Sequence, residues 1–248
     1  MSLNKLSETS TRAGEEYNKQ ETKSGTAKIL KELGELQNLL FAENKNSILI
    51  VLQGMDAAGK DGVIRNVFTS MNPQGVSVTS FKAPTPEELS HDFLWRIHKY
   101  APAKGMIRIF NRSHYEDIIV TRVHKWCDDE TAYKRMKAIN DWEELVSIHN
   151  NTKILKFYLH VSPEKQKERL NERIKDPAKM WKYNEKDYEE AKLWDIYMEM
   201  YQDCFENCNV IPWNIVPSDQ NWYKEYIIAS VLRDSLKNLK MQYPGLKK

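Results

Sequence analysis

Apolar residues along the chain recur in two alternating patterns. Ser47-Ile48-Leu49-Ile50-Val51-Leu52 is a continuous apolar run, short and rich in Ile and Val, which predicts a strand buried on both faces. Val63, Ile64, Val67, Phe68 and Met71 then recur at helical spacing and predict an amphipathic helix directly after it. Asn72-Pro73-Gln74-Gly75 breaks the chain, and further strands are predicted at Val76 to Phe81, Met106 to Phe110, Lys153 to Val161 and, despite Pro212, Val210 to Val216. Helices are predicted from Pro84 and Pro86 through His91, Trp95 and His98 to Tyr100, at Tyr115 to Val123, at Glu130 to Asn150 and from about Trp222 to Leu239. Ahead of the first strand, Ile29, Leu30, Leu33, Leu36, Leu39 and Leu40 predict a helix from Thr26 to Phe41. Residues 1 to about 25 are polar and are expected to be disordered or loosely helical. Strands alternating with helices imply a parallel sheet covered on both faces, with ligands bound outside the carboxyl ends of its strands.

At the end of the first strand lies Gln53-Gly54-Met55-Asp56-Ala57-Ala58-Gly59-Lys60-Asp61-Gly62. Gly54, four residues, Gly59 and Lys60 match a phosphate loop, whose turned backbone N–H groups and following helix N-terminus surround a phosphate while the Lys reaches its oxygens. A glycine-bearing turn without a ligand is the plainer reading, but the strand before and the helix after it favour phosphate. Asp61 stands where most such loops have a Ser or Thr, and Asp56 lies inside the loop. Carboxylates beside phosphate imply a hard cation between them, so the loop reads as a phosphate and magnesium site. The fold expected is α/β: a three-layer αβα P-loop kinase fold with a central parallel five-stranded sheet and a helical lid. Residues 1–45 would form an N-terminal extension with a helix, and 46–240 the kinase domain, with the lid at about 163–207.

The rule for parallel sheets brings the loop, Lys82, Arg112 and Asp219 to one rim. Arg112 suits bidentate contact with phosphate oxygens. Glu116 and Asp117 follow it; one would assist magnesium and the other read an acceptor, and the residues leave the division open. His114 and His124 have no partners at ligand spacing and read as structural. Asp92 and Arg96, at i and i+4, read as a helix-surface pair, and Trp95 as core. Between Pro163 and Glu206 the chain is densely charged without a strand signal. There Lys165, Arg169 and Arg173 make one basic stripe beside Glu164, Glu168 and Glu172. A solvated helix face and a lid that brings cations over the phosphates both fit, with Lys175, Lys179 and Lys182 extending the cationic surface and Trp181 at the hinge.

Composition adds limits rather than chemistry. The 248 residues suffice for one sizeable core, and a net charge of +2 gives no general attraction to nucleic acid. Three cysteines, Cys127, Cys204 and Cys208, lack disulfide or metal spacing and suggest a reducing, cytoplasmic setting, with Cys204 and Cys208 as small buried residues. No signal peptide or membrane-spanning run is visible.

Taken together, these segments resemble the polyphosphate kinase 2 family over roughly residues 25 to 240. The resemblance rests on Gly54 to Gly62, on Ser90-His91-Asp92-Phe93-Leu94-Trp95-Arg96, on Phe110-Asn111-Arg112-Ser113-His114-Tyr115-Glu116-Asp117 with Arg122-Val123-His124, on Arg173 to Lys182 and on Trp213 to Tyr223. His114-Tyr115-Glu116-Asp117 is similar to the subgroup acting on both nucleoside mono- and diphosphates. The resemblance implies reversible, magnesium-dependent phosphoryl transfer between inorganic polyphosphate and AMP or ADP; the residues leave the choice between adenine and guanine nucleotides open. It implies Asp56, Lys60 and Arg112 as catalytic residues, with magnesium on Asp56 and Asp117. Gly54, Ala57, Ala58, Gly59 and Asp61 would hold phosphate, Glu116 would select the acceptor, and Asp117 and Arg122 would complete that side. Lys82, Arg173 and Lys182 would meet polyphosphate or belong to the lid. A homo-oligomer, dimer or tetramer, is expected, and no nucleic-acid or membrane partner. The competing readings are an ATP-dependent nucleoside-monophosphate kinase and a non-catalytic nucleotide sensor. Asn111, where many P-loop kinases have Asp or Glu, leaves no general base, which suits an already ionised phosphate acceptor.

Overall fold

The computed structural model describes residues 5–246. In chain order its elements are α1 (Lys19–Glu43), β1 (Ser47–Gln53), α2 (Lys60–Val67), β2 (Val76–Ser80), α3 (Pro86–Leu89), α4 (Trp95–His98), β3 (Ile107–Asn111), α5 (Glu116–Val123), α6 (Asp129–Asn150), β4 (Thr152–His160), α7 (Pro163–Lys175), α8 (Lys186–Ala191), α9 (Trp194–Asn207), β5 (Trp213–Pro217) and α10 (Asn221–Asn238). The five strands form one parallel sheet in the order β2-β3-β1-β4-β5. β1 is central, with Ile50 beside Ile109 on one side and Leu155 on the other, and all seven of its residues are buried. A strand flanked on both edges and covered on both faces accounts for its continuous apolar run. Helices α1, α2 and α10 pack together on one face and α5, α6 and α9 on the other, giving the three predicted layers.

Six expectations need correction. The segment before Thr26 is structured over the described residues. Its helix starts at Lys19, capped by Asn18 Oδ1 on the N–H groups of Gln20 and Glu21. Leu6, ahead of it, is buried and donates its N–H to Gln202 Oε1 at 3.0 Å, while Thr11 Oγ1 donates to Asp219 at 2.9 Å. The helix predicted from Pro84 to Tyr100 is two single turns: Thr85 and Glu88 form a reciprocal capping box, and Asp92 Oδ1 accepts from Leu94 N at 3.0 Å, closing a local turn between them. That break takes Arg96 off the surface and away from Asp92. Trp95 is half-buried rather than core, stacked on His91 at 4.1 Å, and Trp181 is 77% exposed rather than packed at a hinge. Pro212 precedes β5 instead of interrupting it. Among the described residues no helix is long and apolar enough to cross a membrane.

Candidate active site

The loop after β1 is shaped by three residues in the left-handed region. Gly54 has φ +148°, where a Cβ would lie 2.9 Å from Leu159 O; Ala57 has φ +62° and Gly59 φ +100°. Gly59 delivers the chain into α2, so Lys60 and Asp61 open that helix with unpaired N–H groups and the positive end of its dipole. Lys60 is buried, and its Nζ donates to Gly54 O at 2.6 Å and Met55 O at 3.2 Å. Burial, and then Arg112, lower its pKa to about 8 against the opposing pull of Asp56, Glu116 and Asp61.

β3 ends beside β1 and hands over Arg112, itself at φ +61°, whose N–H still donates to Leu52 O at 3.1 Å. That backbone turn aims the guanidinium into the loop, where it pairs with Asp56 and with Glu116 Oε2 at 3.1 Å. Glu116, Asp56 and a hydrogen bond hold the guanidinium above even its usual range against burial. Asp56, Lys60, Arg112 and Glu116 are thus brought together, as the rim rule predicts.

The Glu116–Asp117 pair divides. Glu116 faces Arg112, whereas Asp117 accepts from the buried Arg96 at 3.3 Å, and Arg96 also donates to Lys82 O at 2.9 Å. Burial holds the Asp117 carboxyl above its usual value although Arg96 and Arg135 oppose it. Lys82 contributes its carbonyl to this contact while its side chain is exposed. Arg122 turns to Asp129 at 2.8 Å and Asp203 at 2.5 Å, lying over the Tyr133 ring and away from the loop. Asp219 lies on the rim, where it joins the carboxyl ends of β4 and β5 by accepting from Ser162 N at 2.8 Å.

Above the loop, Lys182 Nζ meets Asp61 Oδ2 at 2.6 Å, and Arg173 pairs with Asp187 and donates to Lys182 O at 3.2 Å. Despite burial, Lys182 and Asn111 keep the Asp61 carboxyl below its usual range. Residues 171–196 include no fully buried side chain, whereas Tyr201, Cys204 and Phe205 of α9 lie in the core.

Sequence reasoning missed several residues. A cavity between the loop and helices α8 and α9 is walled by Asp56, Arg112 and Glu116 on one side and by Glu190, Tyr197 and Tyr201 on the other. Tyr197 Oη donates to Glu190 at 2.6 Å, and His124 Nε2 lies 3.0 Å from the same carboxylate. From behind, Arg169 and the buried Lys224 reach loop carbonyls. A tyrosine at helical spacing and a lysine within an amphipathic helix carry no sign of such contacts; only the rim topology hinted at them.

The donors suit magnesium. Asp56 offers a hard oxygen beside the phosphate cradle, and no group of three or more His, Cys, Asp or Glu among the described residues forms an all-protein cage. An ion that keeps waters and takes phosphate oxygens needs none.

Residues 16–244 match the family described as Polyphosphate kinase 2 (PPK2). A protein of Meiothermus ruber named AMP/ADP-polyphosphate phosphotransferase is 43% identical over 231 residues, covering 92% of this chain and 86% of that protein. An ADP-polyphosphate phosphotransferase of Rhodopseudomonas palustris is 40% identical, over 87% of this chain and 79% of its own length. The crystal structure of a polyphosphate kinase 2 from Arthrobacter aurescens TC1 superposes with a TM-score of 0.94 at 41% identity, covering 98% of this chain and 88% of that one.

Proposed function

The chain belongs to the polyphosphate kinase 2 family, and from that premise we propose that it moves a phosphoryl group between inorganic polyphosphate and AMP or ADP, in either direction. The observation that carries this reading is the convergence of Lys60, Arg112 and Asp56 on a phosphate loop that has carboxylates in place of the usual hydroxyl. The donor phosphate would lie against the loop N–H groups and the start of α2. Its charge would draw Lys60 away from the Gly54 and Met55 carbonyls, and the same charge favours the ammonium form. Arg112 would exchange part of its pairing with Asp56 and Glu116 for the oxygens of the transferring group, so the guanidinium is preset rather than recruited. The acceptor would approach through the cavity bounded by Glu116, Tyr197 and Tyr201. Asn111 leaves the β3 end without a base, and an ionised phosphate acceptor requires none. Magnesium, held by Asp56 and phosphate oxygens, would add charge neutralisation there. Asp117, Arg122 and Lys82 then act by fixing the first turns around the acceptor rather than by touching phosphate.

Residues 46–240 would form the catalytic unit, the segment around Arg173 and Lys182 would close over the donor, guanine nucleotides would serve as acceptors beside adenine ones, and the chain would form a homo-oligomer, dimer or tetramer, in the cytoplasm. Light scattering on the purified chain checks the oligomer. The deciding experiment mixes the protein with magnesium, long-chain polyphosphate and AMP without ATP, and follows nucleotides with time. ADP and then ATP are expected. ADP alone would remove the diphosphate acceptor, and transfer seen only from ATP would replace the reading with a nucleoside-monophosphate kinase.

A further inference from the structure

Three consecutive carbonyls of the phosphate loop are held from outside by side chains of α7 and α10. Gln166 Nε2 donates to Asp56 O at 3.0 Å, Arg169 Nη1 to Ala57 O at 3.0 Å and Ala58 O at 3.1 Å, and Lys224 Nζ to Ala58 O at 3.1 Å. Arg169 is itself fixed by Ser218 O at 2.7 Å, and both cations bond Asn221 Oδ1 at 3.1 Å. Gln166 and Lys224 are each 1% exposed. Lys224 fits so closely that a Cβ on Gly59 would lie 2.2 Å from its Nζ.

In a planar trans peptide the N–H points opposite to the C=O. Drawing the carbonyls of Asp56 and Ala58 outward therefore directs the N–H groups of Ala57 and Gly59 to the other face, while Ala58 N closes a turn onto Met55 O at 3.1 Å. Neutral donors would suffice to brace the loop. Two of the three are basic side chains able to carry charge instead, and with Lys60 they surround a loop whose own charges are Asp56 and Asp61.

We infer that Gln166, Arg169 and Lys224 are positioning residues for phosphoryl transfer, which set the loop's N–H groups against the donor phosphate, and that Lys224 answers the donor's charge from behind the loop. The inference rests on the reading of the loop as the polyphosphate site. Its second half has a supporting sign: burial, Arg169 and Lys60 lower the Lys224 pKa to about 7, with Glu225 opposing. An anion entering the loop favours the ammonium form, so donor binding near pH 8 is accompanied by proton uptake.

The test is steady-state turnover with polyphosphate and ADP, together with calorimetric titration by tripolyphosphate in two buffers of different ionisation enthalpy. Wild-type turnover comes first; a wild-type protein inert towards polyphosphate would overturn the donor reading itself. With an active wild type, Lys224→Met is expected to lower kcat/KM for polyphosphate about 10–100-fold, the scale of a small misplacement of a reacting group, with the KM for ADP within about twofold. Proton uptake should shrink in Lys224→Met and persist in Gln166→Met, whose kcat/KM for polyphosphate should also fall. Unchanged kcat/KM in both variants, or equal losses towards both substrates that follow the melting temperature, would show a merely structural brace. If Lys224→Met does not fold, Gln166→Met decides the positioning claim and Arg169→Lys, which keeps the charge but loses the fork, decides whether charge alone suffices.

Discussion

Lys60 has to be a cation in a place that disfavours one. With its pKa near 8 in the empty loop and that of Lys224 near 7, both lose their protons across neutral pH, whereas unfolded lysines keep theirs to about 10.5. Between these limits the unfolded chain binds more protons than the folded one, so stability without phosphate rises with pH. The melting temperature is therefore expected to be higher at pH 9 than at pH 7, and a flat or falling trend would contradict the burial of these ammonium groups. Activity should run the opposite way: kcat/KM for polyphosphate, which reports the free enzyme, falls as pH rises through about 8. Lys60→Ala should lose about 10²–10³-fold in kcat, as does removal of one preorganised charge-stabilising donor elsewhere. Asp56→Asn should lose most turnover while circular dichroism stays unchanged; near-normal turnover would refute the magnesium assignment.

The turn from β3 into α5 stands on a dry polar network. Lys156 Nζ donates to Glu143 Oε2 at 2.8 Å, to the Tyr115 hydroxyl at 2.8 Å and to Cys208 O at 2.9 Å, and Tyr115 donates to Glu143 Oε1 at 2.7 Å. Although burial pushes the other way, Lys156 and His114 keep the Glu143 carboxyl below its usual range. Arg112 and Glu116 flank the anchored His114 and Tyr115, so their mutual distance is inherited from this buried pair. Lys156→Met, which strands Glu143 without its partner, should cost about 3–5 kcal/mol in urea unfolding; a loss below about 1 kcal/mol would mean that water reaches the carboxylate. The strands and α2 were legible because burial on two faces forces an apolar run and burial on one face forces helical spacing. Arg112 and the loop were legible because parallel topology alone brings strand ends together. Arg96 was not: its spacing from Asp92 assumes a continuous helix, and the turn at Asp92 sends the guanidinium to Asp117 instead. Arg169 looked like one charge among many on α7, since nothing local tells a solvated guanidinium from one bonded to a loop 111 or 112 residues away.

At the scale of the molecule, a rigid sheet carries a thinly anchored cover. Residues 171–196 bury no side chain fully and meet the phosphate loop through ion pairs such as Lys182–Asp61, and exposed pairs are worth about 0–1 kcal/mol. Opening should therefore be far easier there than in β1. Amide exchange is expected to be fast over 171–196 and slow over β1 and α9, and tripolyphosphate with ADP should slow it selectively in the cover. Equal protection in both regions would argue for a permanently closed cleft. Lys182→Ala should raise the KM for polyphosphate more than it lowers kcat, and high salt should mimic it. The brace on the loop also orders events during synthesis. β1 leaves the ribosome early, but its neighbours β3 and β4 follow later and α10, which brings Lys224, later still. Pairings this distant along the chain form late. A nascent chain that has not yet emitted α10 carries the loop without its rear support, so chains stalled before α10 should fail to bind tripolyphosphate that the finished protein holds.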